Sequence, residues 1–239
     1  MKTKDEQKVL AAETAIDTLI KDGKIFSGMK IGLGTGSTAI PAVRRLAARI
    51  KDGTISNIKA VVTSFQTQNE CIELGIPVYS LNDKAIGGHL DLTIDGADEI
   101  DGNNDLIKGG GAALLREKIV AYNSDSFAVV ADESKSVNSE GTGFALPVEI
   151  IGEAMQSVKN ALAALGAECV LREGVKKCGP VITDNGNWIL DCRWKEPVNP
   201  LIMEDEINAI PGVVENGFFT KQRPIVFIAH ADGSVEIRQ

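Results

Sequence analysis

Met29-Lys30-Ile31-Gly32-Leu33-Gly34-Thr35-Gly36-Ser37-Thr38 carries a short apolar strand, Met29 to Leu33, straight into a glycine-rich turn. Pro41, Val43, Leu46, Ala47 and Ile50 follow at helical spacing, so the stretch reads as strand, turn, helix. The same alternation extends on both sides. Residues 4 to 22 carry Val9, Leu10, Ala12, Ile16, Leu19 and Ile20 near the helical period, and Gly23 can end that helix. Lys59 to Thr63 reads as a second strand, 66 to 74 as its helix and Pro77 to Tyr79 as a short strand. Leu90 to Asp95, a helix over Ala112 to Tyr122 and a strand over Phe127 to Ala131 continue the pattern, which predicts a parallel sheet with helices on its faces.

Beyond about residue 145 the order changes to strand 148–150, helix 152–165, strands 168–171 and 187–193, helix 201–210 and strand 213–219. That is the β-α-β-β-α-β plan of ferredoxin-like folds. Ile225 to Ala229 and Val235 to Ile237, joined through Ala231-Asp232-Gly233-Ser234, read as a hairpin returning to the first sheet. The expected organisation is α/β: a Rossmann-like parallel-sheet domain over 1–145 and 220–239, with a smaller ferredoxin-like α+β lid domain over 146–219.

The composition narrows the function. A net charge of -8 repels phosphate backbones and anionic lipid heads, so neither nucleic acid nor a membrane is an expected partner. No apolar run approaches the roughly 20 residues of a membrane span. The start, Met1 to Glu6, has no signal-peptide core, and a cytoplasmic location is expected. Cys71, Cys169, Cys178 and Cys192 lie far apart without metal-ligand spacing and read as reduced thiols. His89 and His230 are the two histidines, too few for a His-rich metal site, and acid-base work falls to carboxylates and lysine.

Four stretches fall where strands run into helices, the usual ligand edge of an open α/β sheet. In Gly32 to Thr38, Ser37 stands where a dinucleotide fingerprint needs glycine, and no lysine precedes Ser37 or Thr38 as a P-loop requires. What remains is either a small anion cradle with the hydroxyls of Thr35, Ser37 and Thr38, or a tight turn capped by Ser37 or Thr38. Asp95-Gly96-Ala97-Asp98-Glu99-Ile100-Asp101 places four acids in mutual repulsion. Its three-residue spacing does not suit an EF-hand, so strand-end aspartates accepting backbone or hydroxyl hydrogen bonds are expected, or else a structural turn.

Lys108-Gly109-Gly110-Gly111 introduces an apolar helix bearing Arg116-Glu117-Lys118. Three glycines are costly in entropy unless something approaches the main chain. Glu117, with Ala113, Leu114, Val120 and Ala121 around it, could be a desolvated general base, although Arg116 and Lys118 also have apolar neighbours. Asp132-Glu133-Ser134-Lys135 adds a cation at the same edge, read as a ligand or as a solvated side chain.

Together, Gly34 to Thr38, Asp95 to Glu99, Lys108 to Gly111, Arg116 to Lys118 and Asp132 to Lys135 resemble the motif set of the type A ribose-5-phosphate isomerases. Leu146-Pro147-Val148-Glu149, Thr183-Asp184-Asn185-Gly186-Asn187 and Ile207 to Val214 extend the likeness over nearly the whole chain. The resemblance implies interconversion of ribose 5-phosphate and ribulose 5-phosphate through an enediolate, with no metal and no organic cofactor. It implies Glu117 as base, Lys108 as the cation beside the oxyanion, and Asp95 and Asp98 for hydroxyl protons and ring opening. Gly96, Ala97, Gly109, Gly110 and Gly111 would line the sugar, Thr35, Gly36, Ser37 and Thr38 the substrate loop, and Lys135 and Lys8 would meet the phosphate. It also implies a homodimer or homotetramer. The competing readings are a non-catalytic sugar-phosphate sensor, which needs no base, and an acyl-transfer enzyme with Glu117 as nucleophile.

Overall fold

A computed structural model describes residues 1–138, 141 and 143–239. In chain order the elements are α1 (Lys4–Lys21), β1 (Lys30–Leu33), α2 (Ala39–Lys51), β2 (Lys59–Val62), α3 (Phe65–Leu74), β3 (Leu90–Gly96), β4 (Glu99–Ile100) and β5 (Leu106–Ile107). Then come α4 (Leu114–Tyr122), β6 (Ser124–Asp132), β7 (Leu146–Ile150), α5 (Met155–Ala164), β8 (Glu168–Leu171) and β9 (Trp188–Arg193). The chain ends with α6 (Pro200–Asn208), β10 (Val213–Asn216), β11 (Phe218–Phe219), β12 (Ile225–Ala229) and β13 (Val235–Arg238).

These elements form two compact units: residues 1–96, 116–135 and 222–239, and residues 97–115 with 136–221. The second unit therefore takes in 97–115, 136–145 and 220–221 as well as the 146–219 set apart by the change of sequence pattern.

The first unit is built on one sheet in the order β13-β12-β6-β3-β1-β2. β2, β1, β3, β6 and β12 run parallel and β13 closes the edge antiparallel, so the expected hairpin does rejoin this sheet. Its parallel strands are near-continuous apolar runs because both faces are covered. Ala11, Ala15, Ile16 and Leu19 of α1 and Val43 and Leu46 of α2 cover one face, in a cluster with Ile31, Leu92, Val130 and Phe227. Val120 of α4 packs with Val61 and Leu90 in another. α1 starts on a capping box, Thr3 with Glu6, that satisfies orphan N–H groups of its first turn. Arg45 and Arg49 of α2 both bond Asp17 of α1. The Arg45 guanidinium first, then Arg49, holds the Asp17 carboxyl down at about 2. The expected strand at 77–79 reduces to one parallel bridge, Val78 to Ala60, because the segment is too short to build a ladder.

The second unit contains an antiparallel sheet in the order β10-β7-β9-β8, the strand order of a ferredoxin-like fold, with α5 and α6 as its two helices. Leu146, Val148, Ile150 and Leu190 meet Val158, Leu162, Met203 and Ile207 in its core. A small third sheet, β11-β5-β4, splits the expected strand 213–219 in two. Gly217 is the break: a Cβ there would lie 2.4 Å from the Lys108 carbonyl oxygen, so the chain leaves β10 in close contact with that backbone.

Candidate active site

In the first unit the chain leaves β2, crosses β1 and re-enters the sheet as β3, so the carboxyl ends of β1 and β3 form its topological switch point. The turn Gly34 to Thr38 and Asp95 both lie there. Gly34 donates its N–H to the Ile94 carbonyl at 2.9 Å. The Asp95 carboxylate accepts from the N–H of Thr35 at 3.0 Å and of Gly96 at 2.7 Å. A Cβ on Gly34 would fall 1.9 Å from Asp95 Oδ1, so only glycine lets the turn close on that carboxylate. Gly36, at φ +96°, occupies the left-handed region and gives its N–H to Gln66 Oε1 at 3.2 Å.

The hydroxyls of the turn divide. Thr35 Oγ1 is held by Thr63 Oγ1 at 2.6 Å and Ser64 Oγ at 2.7 Å, whereas Ser37 is exposed and Thr38 makes no capping hydrogen bond from its side chain. Of the three hydroxyls expected to form a cradle, that of Thr35 instead fastens the turn to the end of β2. Thr38 also packs beside Gly96, where a Cβ would be 3.4 Å from its own.

Glu117 lies in the first turn of α4 and is 4% exposed. Its helix is pinned from below: Gly32 has no room for a Cβ because Val120 would be 2.4 Å away. Ser124 Oγ donates to the Val120 carbonyl at 2.8 Å and bonds Thr93 Oγ1 at 2.6 Å. A carboxyl so far out of water is costly unless a specific task or partner keeps it there. Lys118 is equally buried, its ammonium 5.8 Å from the Tyr122 ring centroid, and Arg116 lies over Phe65 at 4.9 Å. Lys135 ends a short turn after β6, half-buried. Lys8, half-buried on α1, forms an ion pair with Asp5 at 3.1 Å.

In the second unit, Asp98 Oδ2 accepts the Gly110 N–H at 2.7 Å, and a Cβ on Gly110 would sit 2.6 Å from Asp98 Oδ1. Lys108 is 2% exposed, with its N–H bonded to the Gly217 carbonyl at 2.9 Å and its ammonium 5.6 Å from the Phe219 ring centroid. Gly109, at φ +103°, and Ala112, at φ +57°, turn the chain from Lys108 into α4. The helix starts at Leu114 rather than Ala112 because Ala112 is left-handed.

The four acids of Asp95 to Asp101 escape the mutual repulsion that their spacing suggests. Glu99 accepts from the N–H of Gly141, Gly143 and Phe144, at 2.6, 2.9 and 2.6 Å. Asp101 accepts from Asn103 at 2.7 Å and Asp105 at 2.9 Å. Each carboxylate is thus aimed at its own set of backbone donors. Among the described residues, no group of three or more His, Cys, Asp or Glu has the arrangement of a metal site.

A family model of ribose 5-phosphate isomerase A (phosphoriboisomerase A) matches residues 59–233. The chain belongs to the ribose-5-phosphate isomerase A family. The ribose-5-phosphate isomerase A of Treponema denticola is 62% identical to it over 231 residues, covering 96% of this chain and 97% of the relative. That of Treponema pallidum is 55% identical over 234 residues, covering 97% and 92%. A solved D-ribose-5-phosphate isomerase in complex with phospho-erythronic acid matches the fold with a TM-score of 0.92 at 40% identity, over 100% of both chains.

Within this member of the ribose-5-phosphate isomerase A family, the structure adds residues that motif reading passed over. Phe219 lies against Lys108 and Gln66 holds Gly36. Arg172, beyond the end of β8, donates to the carbonyls of Gly109 at 2.9 Å and Gly110 at 3.1 Å. Nothing in the local sequence around Arg172 marks it, since its partners lie 62 and 63 residues away.

Proposed function

We propose that this chain interconverts D-ribose 5-phosphate and D-ribulose 5-phosphate, a step of the non-oxidative pentose phosphate pathway, with Glu117 as the base. The observation that carries the reading is a buried carboxyl in the first turn of α4, directly after the Lys108 to Ala113 turn, in a chain of this family.

The open-chain aldose is attacked at C2. The Glu117 carboxylate takes the C2 proton, and the C–H electrons form the C1–C2 double bond while charge develops on O1. Lys108, desolvated against Phe219, stabilises that charge more strongly than a solvated ammonium would. A proton passes from O2 to O1, with Asp95 and Asp98 handling the hydroxyls, and Glu117 returns its proton to C1. The product is the ketose, and the atoms balance without a co-reactant. Ser37, Thr38 and the main chain of 35–38 hold the sugar phosphate, with Lys135, and Lys8 if it leaves Asp5, meeting the phosphate. Gly96, Ala97 and Gly109 to Gly111 line the sugar. Held remotely by its phosphate, the substrate keeps its reacting carbon against the base. The reading extends to a homodimer or homotetramer acting in the cytoplasm with no metal or organic cofactor, and to a lid role for 146–219.

NMR of ribose 5-phosphate with the protein and EDTA in D2O tests it. Ketose appears and deuterium enters the sugar at carbon; an unchanged aldose without deuterium contradicts the reading.

A further inference from the structure

We infer that Arg172 is a positioning residue for the isomerisation, holding the Gly109 to Gly111 turn in its working shape as the middle member of a chain Asp191–Arg172–peptide–Asp98. The inference rests on the isomerase reading above.

Arg172 spends its planar fork in two directions. Nε meets Asp191 Oδ2 at 2.9 Å and one terminal nitrogen meets Oδ1, a bidentate pair that fixes the guanidinium plane. The other terminal nitrogen reaches the carbonyls of Gly109 and Gly110. The base of the side chain is equally fixed: its N–H donates to the Ile189 carbonyl and its own carbonyl accepts from Val181, both at 2.9 Å. Asp191 sits in the middle of β9, paired with Pro147 on one side and Val170 on the other.

The peptide that Arg172 grips by the Gly109 oxygen is the one whose N–H, on Gly110, donates to Asp98. A cation on the carbonyl end of a peptide draws electrons through it and makes the N–H a stronger donor. Arg172 therefore tightens the hold on Asp98 without touching it, and through Gly109 sets where the chain leaves Lys108. Three glycines have no side chains of their own to fix this turn, so its order must come from outside. Two of its peptides are supplied by one guanidinium. A lysine offers a point charge and cannot serve both carbonyls and Asp191 in one plane. A cleft of about 490 Å³ borders Gly110, Arg172 and Asp191, giving small solutes access to the guanidinium position.

The test uses the full chain with ribose 5-phosphate as substrate. In Arg172→Ala, kcat falls about 100-fold, the loss expected for a misplacement near 1 Å, and KM moves much less, because the phosphate end is untouched. Guanidinium ion added below denaturing concentration restores at least about tenfold of that loss, whereas ethylammonium does not. Arg172→Lys, which keeps the charge and covers the case in which the alanine variant fails to fold, loses about tenfold in kcat at an unchanged melting temperature. A wild-type kcat in either folded variant, a loss confined to KM, or a loss that guanidinium leaves in place overturns the inference. Absence of isomerisation by the wild-type chain overturns the isomerase reading instead, so the two failures are distinct.

Discussion

The turn after β1 and the turn before α4 each fold a glycine onto an aspartate, Gly34 onto Asp95 and Gly110 onto Asp98, yet they are held differently. Around Gly34 the support is local to one sheet edge: Asp95 takes the Thr35 and Gly96 N–H groups, and Thr63 and Ser64 take the Thr35 hydroxyl. Around Gly110 a side chain from another sheet joins in, with Arg172 beyond β8 reaching two carbonyls while Gly217 pairs with Lys108. A turn braced by its own sheet resists change until its contact is violated. One braced by a side chain from elsewhere in the fold can be loosened by changing that side chain.

Substituting the glycines sharpens this contrast. In Gly34→Ala the new methyl would lie 1.9 Å from Asp95 Oδ1 and 2.6 Å from its Cβ, so rotating the carboxylate does not relieve the clash. The turn or β3 must shift, and overpacking of this kind costs about 1–3 kcal/mol. Melting temperature falls and kcat/KM drops about 100-fold or more. In Gly110→Ala the atoms nearest the methyl are the carboxylate atoms of Asp98, at 2.6, 3.0 and 3.1 Å, and that side chain can rotate away. Stability then stays close to wild type, while the displaced Asp98 lowers kcat/KM about tenfold. Thermal melts and steady-state kinetics on both variants check the ordering; a Gly110→Ala variant less stable than Gly34→Ala would break the comparison.

The same contrast explains what the sequence made legible. The alternation of strands and helices is written in apolar runs bounded by glycine, and the β-α-β-β-α-β order of 146–216 is written in spacing alone. Gly34, Asp95 and Gly110 stand out because each sits in a stretch that is legible by itself, a glycine-rich turn or a run of acids at a strand end. Two-residue strands such as β4, β5 and β11 have no periodicity to read. Arg172 has none either, because its role is defined by a fold that brings together residues more than 60 apart. The 116–118 run is ambiguous in sequence for a geometric reason. Adjacent helix residues lie about 100° apart, so Glu117 and Lys118 can both fall within one buried arc, and both do. The family likeness, carried by motifs in nearly every segment, needed no such geometry, and the match over residues 59–233 bears it out.

The central claim is that one buried carboxyl on α4 moves a carbon-bound proton. Glu117→Gln keeps the size of the side chain and removes the base. Deuterium exchange at C2 of ribose 5-phosphate, followed by NMR in D2O alongside a direct binding titration, measures that step by itself. The account predicts exchange slowed about 10³-fold or more with the sugar phosphate still bound. Exchange near the wild-type rate in the glutamine variant would contradict it.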